Sequence, residues 1–320
     1  MERIPKRIPG TENFEIKEGF EKRYKFLAGK DYESFIIYST SFLDRSIRVN
    51  TLKAKIEDVK NSLSEKGWIL TQIPWCNEGF WIDHKEGRRD IGNTEEHVLG
   101  YIYVQEASSM LPPIALDPKP GETILDMCAS PGSKSSQIAA MMKNEGILVC
   151  NDYKGLRAKP LVINLQRIGA TNIVISLMDG QRIKGTEFDK ILVDAPCSGT
   201  GTIRTSLKTF RLWNENVVKR IAITQRQLIE TGFNLLRPGG VMVYSTCTLE
   251  PEEDEAVVSH LLNKYPNAKT LPLDIPIKRG EVVTEFEGKK FHEGVQNALR
   301  IWPQDNNTEG FFVCKIQKLE

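Results

Sequence analysis

The 320-residue sequence has no Cys-x-x-Cys pair, and its four histidines (84, 97, 260 and 292) stand singly. That scatter excludes the common zinc frameworks. Six cysteines spread over a chain this long do not make a disulfide scaffold. No apolar run approaches the roughly 20 residues of a membrane span, and residues 1–7 lack the apolar core of a signal peptide. The expectation is a cytoplasmic protein with no metal and no membrane partner, and nothing in the sequence calls for an oligomer. Charge of one sign is also missing. The net charge is +1, so any affinity for a polyanion has to be local. Internal repeats and low-complexity tracts are absent.

What is present is ordinary for a globular chain, 40% hydrophobic and 27% charged. The length suits one large domain, or one of about 200 residues plus a smaller one. Between Arg204 and Arg237 lies a local basic excess, with Lys208, Arg211, Lys219, Arg220 and Arg226 against Glu215 and Glu230. It reads equally as a solvated helix face or as a set of phosphate contacts. Residues 1–35 carry Phe14, Phe20, Tyr24 and Phe26 among charges and are expected as an arm or a helix. A strand over 46–52, a helix over 55–66 closed by Gly67, and short strands over 68–73 and 79–82 predict a small α+β domain within 1–100. From Tyr101 to residue 320, strands and helices alternate as in a mostly parallel α/β sheet. Strands are predicted over 123–127, 147–151, 173–177, 189–193, 241–245 and 311–316. Helices are predicted over 105–116 (broken at Pro112-Pro113), 133–143, 154–168, 217–236 (stopped by Pro238-Gly239-Gly240) and 252–264.

Ligands bind at the carboxyl ends of strands in such sheets. Asp126 ends the first strand, and a glycine loop then runs into a helix N-terminus. The loop matches neither G-x-G-x-x-G nor a P-loop. The second strand ends in Asn151-Asp152, placed to hold a ribose hydroxyl pair, and the third in Met178-Asp179-Gly180, placed to meet an adenine amine. Each acid alone is as readily a helix cap or turn residue. Three at consecutive strand ends point to S-adenosylmethionine. The fourth and fifth strands end in Asp194-Ala195-Pro196-Cys197 and Tyr244-Ser245-Thr246-Cys247-Thr248. A methyl donor beside a thiol suits carbon 5 of a pyrimidine, which becomes nucleophilic only after a thiolate adds at carbon 6. Asp194 is placed to relieve charge on the ring or to touch the cofactor. Spacing leaves open which thiol attacks. Cys150 and Cys314 sit in apolar runs as core residues, and Cys76 has no chemical company.

Three motifs, Asp126-Met127-Cys128-Ala129-Ser130-Pro131-Gly132-Ser133-Lys134-Ser135, Asp194-Ala195-Pro196-Cys197-Ser198-Gly199-Thr200-Gly201 and Ser245-Thr246-Cys247-Thr248-Leu249-Glu250-Pro251-Glu252-Glu253, resemble the NOL/NOP/Sun family of RNA cytosine-carbon-5 methyltransferases, in its archaeal and bacterial form. Arg48-Val49-Asn50-Thr51-Leu52-Lys53 and Gln105-Glu106-Ala107-Ser108-Ser109-Met110 extend the likeness from about Arg48 to the C-terminus. The resemblance implies a Rossmann-like class I methyltransferase sheet with a small RNA-recognition-motif-like N-terminal domain. It implies that Cys128, Ala129, Ser130, Pro131, Gly132, Ser133 and Lys134 hold the methionine part of S-adenosylmethionine, Asp152 with Arg157 the ribose, and Asp179 the adenine. It also implies that Cys247 attacks carbon 6, that Cys197 assists release, and that Asp194 steadies the cytosine. Transfer RNA is the expected partner and ribosomal RNA the second. Two departures stand out: Ser133-Lys134 replaces the family's Gly-Lys, and Gln304 follows Pro303 where the family commonly has His. A methyltransferase of protein or small molecules, and a non-catalytic RNA-binding factor, stay open at this point.

Overall fold

The computed structural model describes residues 5–11, 14–185 and 187–320. The N-terminal segment forms helices α1 (Glu18–Ala28) and α2 (Tyr32–Ser39). Their aromatic side chains bury one another: the Tyr24 ring stacks on Phe20 at 4.1 Å and on Phe35 at 5.1 Å between centroids. This cluster packs on Phe210, Trp213 and Trp302 of the second half of the chain. A buried carboxylate fixes the contact, because Glu250 accepts from Tyr24 Oη (2.8 Å), Trp213 Nε1 (2.8 Å) and the Arg23 guanidinium (2.7 Å). The segment expected as an arm or a helix is therefore helical and braces the larger unit.

Strand β1 (Ser46–Val49), helix α3 (Ile56–Glu65), strands β2 (Trp68–Gln72) and β3 (Gly79–His84), helix α4 (Glu95–Val98) and strand β4 (Ile102–Val104) make an antiparallel sheet ordered β2-β3-β1-β4. One face sets Ile47, Val49, Phe80 and Ile102 against Val59 and Leu63 of α3. The other face lies on the larger unit of the chain. There Arg48 is 2% exposed and donates to Gln105 Oε1 (2.9 Å) and Ser136 Oγ (2.6 Å), and Tyr103 is 6% exposed. Strand β4 falls beyond residue 100, so a division at that residue cuts this sheet. No strand is predicted over these residues, and their backbone partner is β1.

The larger unit begins with α5 (Leu111–Leu116) after a single turn at Ser108–Met110. Pro112 and Pro113 occupy its first helical turn, where no intrahelical N–H is needed. They start the helix and do not break it. There follow β5 (Thr123–Asp126), α6 (Ser133–Met141), β6 (Ile147–Asn151), α7 (Gly155–Ile168), β7 (Ile173–Ser176), β8 (Phe188–Asp194), α8 (Lys208–Leu212), α9 (Glu215–Leu235), β9 (Leu236–Thr246), α10 (Glu255–Lys264) and β10 (Ala268–Leu271). A hairpin of β11 (Glu285–Phe286) and β12 (Lys289–Lys290), then β13 (Leu299–Ile301), α11 (Pro303–Asn306) and β14 (Phe311–Lys318), complete the chain. The main sheet runs β10-β14-β9-β8-β5-β6-β7, with β13 on β14. Strands β5 to β9 are parallel and β14 is antiparallel.

Helices cover both faces, which is why Leu125, Ile191, Leu192 and Val193 are fully buried and read as apolar runs. Strand β9 starts before Pro238-Gly239-Gly240, which it absorbs with a register shift opposite Phe188 and Lys190. The chain leaves β5 toward β6 and β7, then returns to β8 on the other side. That reversal opens a crevice at the carboxyl ends of β5 and β8. Among the described residues no helix is long and apolar enough to cross a membrane.

Candidate active site

A cavity of about 590 Å³ occupies this crevice and is lined from the ends of β5, β6, β7, β8 and β9. Its volume lies within the range of small-molecule sites. Asn151 stitches three of the strand ends together: its amide donates to Met127 O and Met178 O, and its carbonyl accepts from Met178 N–H, all at 3.0 Å. Asp152 is 2% exposed yet lines the cavity. Its carboxylate accepts from Ser130 N–H (3.3 Å) and Lys154 N–H (3.1 Å), with Arg157 at 3.8 Å. Arg157 in turn donates to Ser130 O, so it braces the loop as well as the acid. Asp179 lines the far end and caps Gln181 N–H at 3.1 Å.

Of the 128–134 loop, Cys128 and Ser130 face the cavity. Ala129, Pro131, Gly132 and Ser133 frame it: Ala129 N–H bonds to Asn151 O, and Gly132 sits at φ +102° with Leu161 3.1 Å from where a Cβ would stand. Burial, then the carboxylates of Asp126, Asp194 and Asp152, pushes the Cys128 thiol far up, so it is a neutral wall residue. The donor set fits S-adenosylmethionine: an anchored acid for ribose hydroxyls, a second acid one strand further, and a glycine loop at a helix start. Among the described residues no cluster of His, Cys, Asp and Glu could hold a metal ion.

Asp126 lies below the loop, 1% exposed, with Ser135 donating to Oδ2 at 2.6 Å and Oδ1 unpartnered. Burial pushes its carboxyl from 3.8 up to about 7. The folded state thus holds a proton that the unfolded chain releases near 3.8. Its stabilisation is complete below that value and is lost as pH rises through about 7. Asp126→Asn should therefore lose less stability between pH 5 and pH 8 than the wild type in denaturant titrations. An unchanged difference would contradict the assignment.

Lys134 does not join the loop around the cavity. Its ammonium reaches Asp194 Oδ2 at 2.8 Å and lies 5.4 Å from the Phe311 ring centre. Burial opposes the charge, but Asp194 outweighs it and the lysine is held above its ordinary value. The other Asp194 oxygen accepts from Ser245 Oγ at 2.8 Å. Beside this pair the two thiols meet, with Cys197 Sγ 3.1 Å from Cys247 Sγ. The hydrogen bond to Cys247, then burial, holds Cys197 far above the usual thiol range, so Cys197 keeps its proton.

The two cysteine loops are locked to each other. Thr248 Oγ1 shares hydrogen bonds with Ser198 Oγ (2.9 Å) and Thr200 Oγ1 (2.8 Å). Gly201 N–H donates to Cys247 O (3.0 Å) and Gly310 N–H to Gly201 O (2.9 Å). A Cβ on Gly201 would come within 2.1 Å of Gly310 O and 2.8 Å of Cys247 O, so only glycine allows the approach. Behind them, the fully buried Arg300 bonds Leu249 O, Asp254 and Glu255, while Thr246 donates to Asp254. Gln304 sits on α11 away from the cavity lining, with Oε1 buried and unpartnered. Within the basic stretch, Arg204 is 5% exposed and bonds Ser41 O, Phe42 O, Thr308 O and Asn307. That makes it a structural tie, whereas Lys208, Arg211 and Arg220 are exposed.

A switched parallel sheet with one antiparallel strand, acids at the first three strand ends and reactive groups at the next two, defines a class I methyltransferase, the class that uses S-adenosylmethionine. The chain belongs to the 16S rRNA methyltransferase RsmB/F family, whose model matches residues 113–317; a model of the N-terminal domain of 16S rRNA methyltransferase RsmF matches residues 16–107. It is 42% identical over 314 residues to the ribosomal RNA small subunit methyltransferase F of Vibrio vulnificus, covering 96% of this chain and 65% of that protein. It is 44% identical over 312 residues to the tRNA (cytosine(49)-C(5))-methyltransferase of Pyrococcus abyssi, covering 95% of this chain and 99% of that protein. A solved methyltransferase homologue from Pyrococcus horikoshii superposes with a TM-score of 0.85 at 38% identity over 95% of both chains. The chain thus spans about two thirds of the length of its ribosomal RNA relatives and nearly all of the transfer RNA one.

Proposed function

We propose that this protein transfers a methyl group to carbon 5 of cytosine in RNA. The observation that carries the reading is the pair of thiols 3.1 Å apart beside the Lys134–Asp194 ion pair. A methyltransferase acting on an amine or hydroxyl needs neither thiol. S-adenosylmethionine, which residues 128–133, Asp152 with Arg157, and Asp179 would hold, would supply an electrophilic methyl group. The chain's own residues do the rest. Cys247, as thiolate, forms a bond to carbon 6, which moves electron density onto carbon 5 and ring nitrogen 3. Asp194, fixed by Lys134 and Ser245, meets nitrogen 3 and the exocyclic amine, and the buried ammonium offsets charge gathering on that side. After transfer, a base takes the carbon-5 proton, and the electron pair left behind restores the ring double bond as the bond from carbon 6 to sulfur breaks. Cys197, which keeps its proton, hydrogen-bonds the departing Cys247 sulfur.

The target base has to leave its stack to reach Cys247. Exposed Lys208, Arg211 and Arg220 and the rim of the small domain are assigned to phosphates. An RNA-recognition motif reads bases on the open face of its sheet. Here Arg48 and Tyr103 are buried on that face, so RNA contacts fall to loops and edges. Residues 1–104, brace and small sheet together, form the RNA-holding part, and the rest forms the catalytic part. Cytoplasmic transfer RNA is the proposed substrate, supported by the 44% identity to a tRNA (cytosine(49)-C(5))-methyltransferase; the ribosomal RNA relatives make small-subunit RNA the second reading. Bisulfite sequencing of RNA from cells with and without the protein tests both. Loss of one transfer RNA 5-methylcytosine is expected, loss of a ribosomal one selects the second reading, and no change in any RNA contradicts both.

A further inference from the structure

Cys197 lies between two peptide groups that a single buried side-chain pair grips. Gln225 on α9, fully buried, donates through Nε2 to Pro196 O on one side of the thiol (2.9 Å) and to Glu253 Oε2 (2.9 Å). The same Glu253 oxygen accepts from Ser198 N–H on the other side (2.9 Å). Glu253 is itself fully buried, and Tyr244 Oη fixes its backbone by donating to Glu253 O at 2.6 Å. Because Glu253 follows Cys247 by six residues, the grip ties the loop of one thiol to the segment that carries the other. We propose that Glu253 and Gln225 are positioning residues for the release step, holding the Cys197 thiol against Cys247 through the peptides that flank it.

Two further observations agree. Glu253 Oε1 and Gln225 Oε1 are both buried with no hydrogen-bond partner. Each side chain thus uses only the end that faces the peptides flanking Cys197. Burial also pushes the Glu253 carboxyl up to about 7, so near neutrality it carries a proton much of the time and acts as a neutral acceptor of the two N–H groups. A glutamine at 253 keeps a neutral carbonyl acceptor for the two N–H groups. An alanine reproduces nothing.

The proposal rests on the reading of Cys197 as the release thiol, and its test keeps the two apart. The probes are unmodified transcripts of a transfer RNA and of small-subunit ribosomal RNA, whichever the wild type methylates. Covalent protein–RNA complex is read on denaturing gels and turnover by methyl incorporation. Glu253→Ala is expected to cut turnover about 10²-fold, the scale of a misplaced reacting group, while methyl transfer in a single turnover persists and covalent complex accumulates. Glu253→Gln should recover most of the turnover, which a merely structural defect would not separate from complex accumulation. Gln225→Leu removes the grip from the other side and carries the same test if Glu253→Ala does not fold. Wild-type turnover in a folded Glu253→Ala, or parallel loss of complex formation and turnover, overturns the proposal. If Cys197→Ala itself accumulates no complex, the reading beneath it fails instead.

Discussion

Replacing Cys247 with alanine is expected to abolish methyl incorporation, by on the order of 10⁴-fold or more, as loss of a covalent nucleophile does. No covalent complex with RNA should form. Replacing Cys197 instead should leave attack and transfer intact and stop the sequence one step later, so that methylated RNA stays bound to Cys247. The two variants therefore differ in kind, although the sulfur atoms are only 3.1 Å apart. The difference follows from the order of the proposed roles, Cys247 bonding carbon 6 and Cys197 acting only when that bond breaks. Methyl incorporation and denaturing gels distinguish the outcomes. Equal, full activity in both variants would end this mechanism.

The second large effect belongs to the ion pair. Asp194→Asn keeps the shape, and its carbonyl can still accept from Ser245. Its amide group, however, would face the buried Lys134 ammonium, which then loses its counter-charge. Breaking one side of such a pair is expensive, about 3 kcal/mol when buried and somewhat less here because Asp194 is partly exposed. Loss of a positioned group on the ring costs roughly 10²–10⁴-fold in rate. Asp194→Asn is thus expected to lower single-turnover methylation by that range and to melt several degrees earlier. Lys134→Met should share the rate loss. Full-rate methylation by either variant would remove the pair from the chemistry.

Much of this site was legible because each group sits where an apolar strand meets a loop. Asp126, Asp152, Asp179, Asp194, Cys197 and Cys247 were found by that rule alone, and the structure brings all but the buried Asp126 to one cavity. The parallel sheet was legible for the same reason, as buried strands read as apolar runs. What was not legible depends on contacts distant in sequence. Lys134 reads as a loop lysine until β8 places Asp194 beside it. Gln225 and Glu253 lie on elements expected simply as helices, and only the fold sets them around Cys197. The fourth strand of the small sheet carries no local sign that it pairs backward with β1. Pro112-Pro113 misled through position, since prolines that break a helix interior start one comfortably.

Mapping the attachment site decides whether Cys247 or Cys197 bonds the cytosine. Transcripts carrying 5-fluorocytosine cannot lose the carbon-5 substituent as a proton, so the complex formed with S-adenosylmethionine persists. Proteolysis and mass spectrometry of that complex should find the nucleotide on the peptide that contains Cys247. Attachment to the Cys197 peptide, or methyl transfer without any trapped complex, would contradict the account.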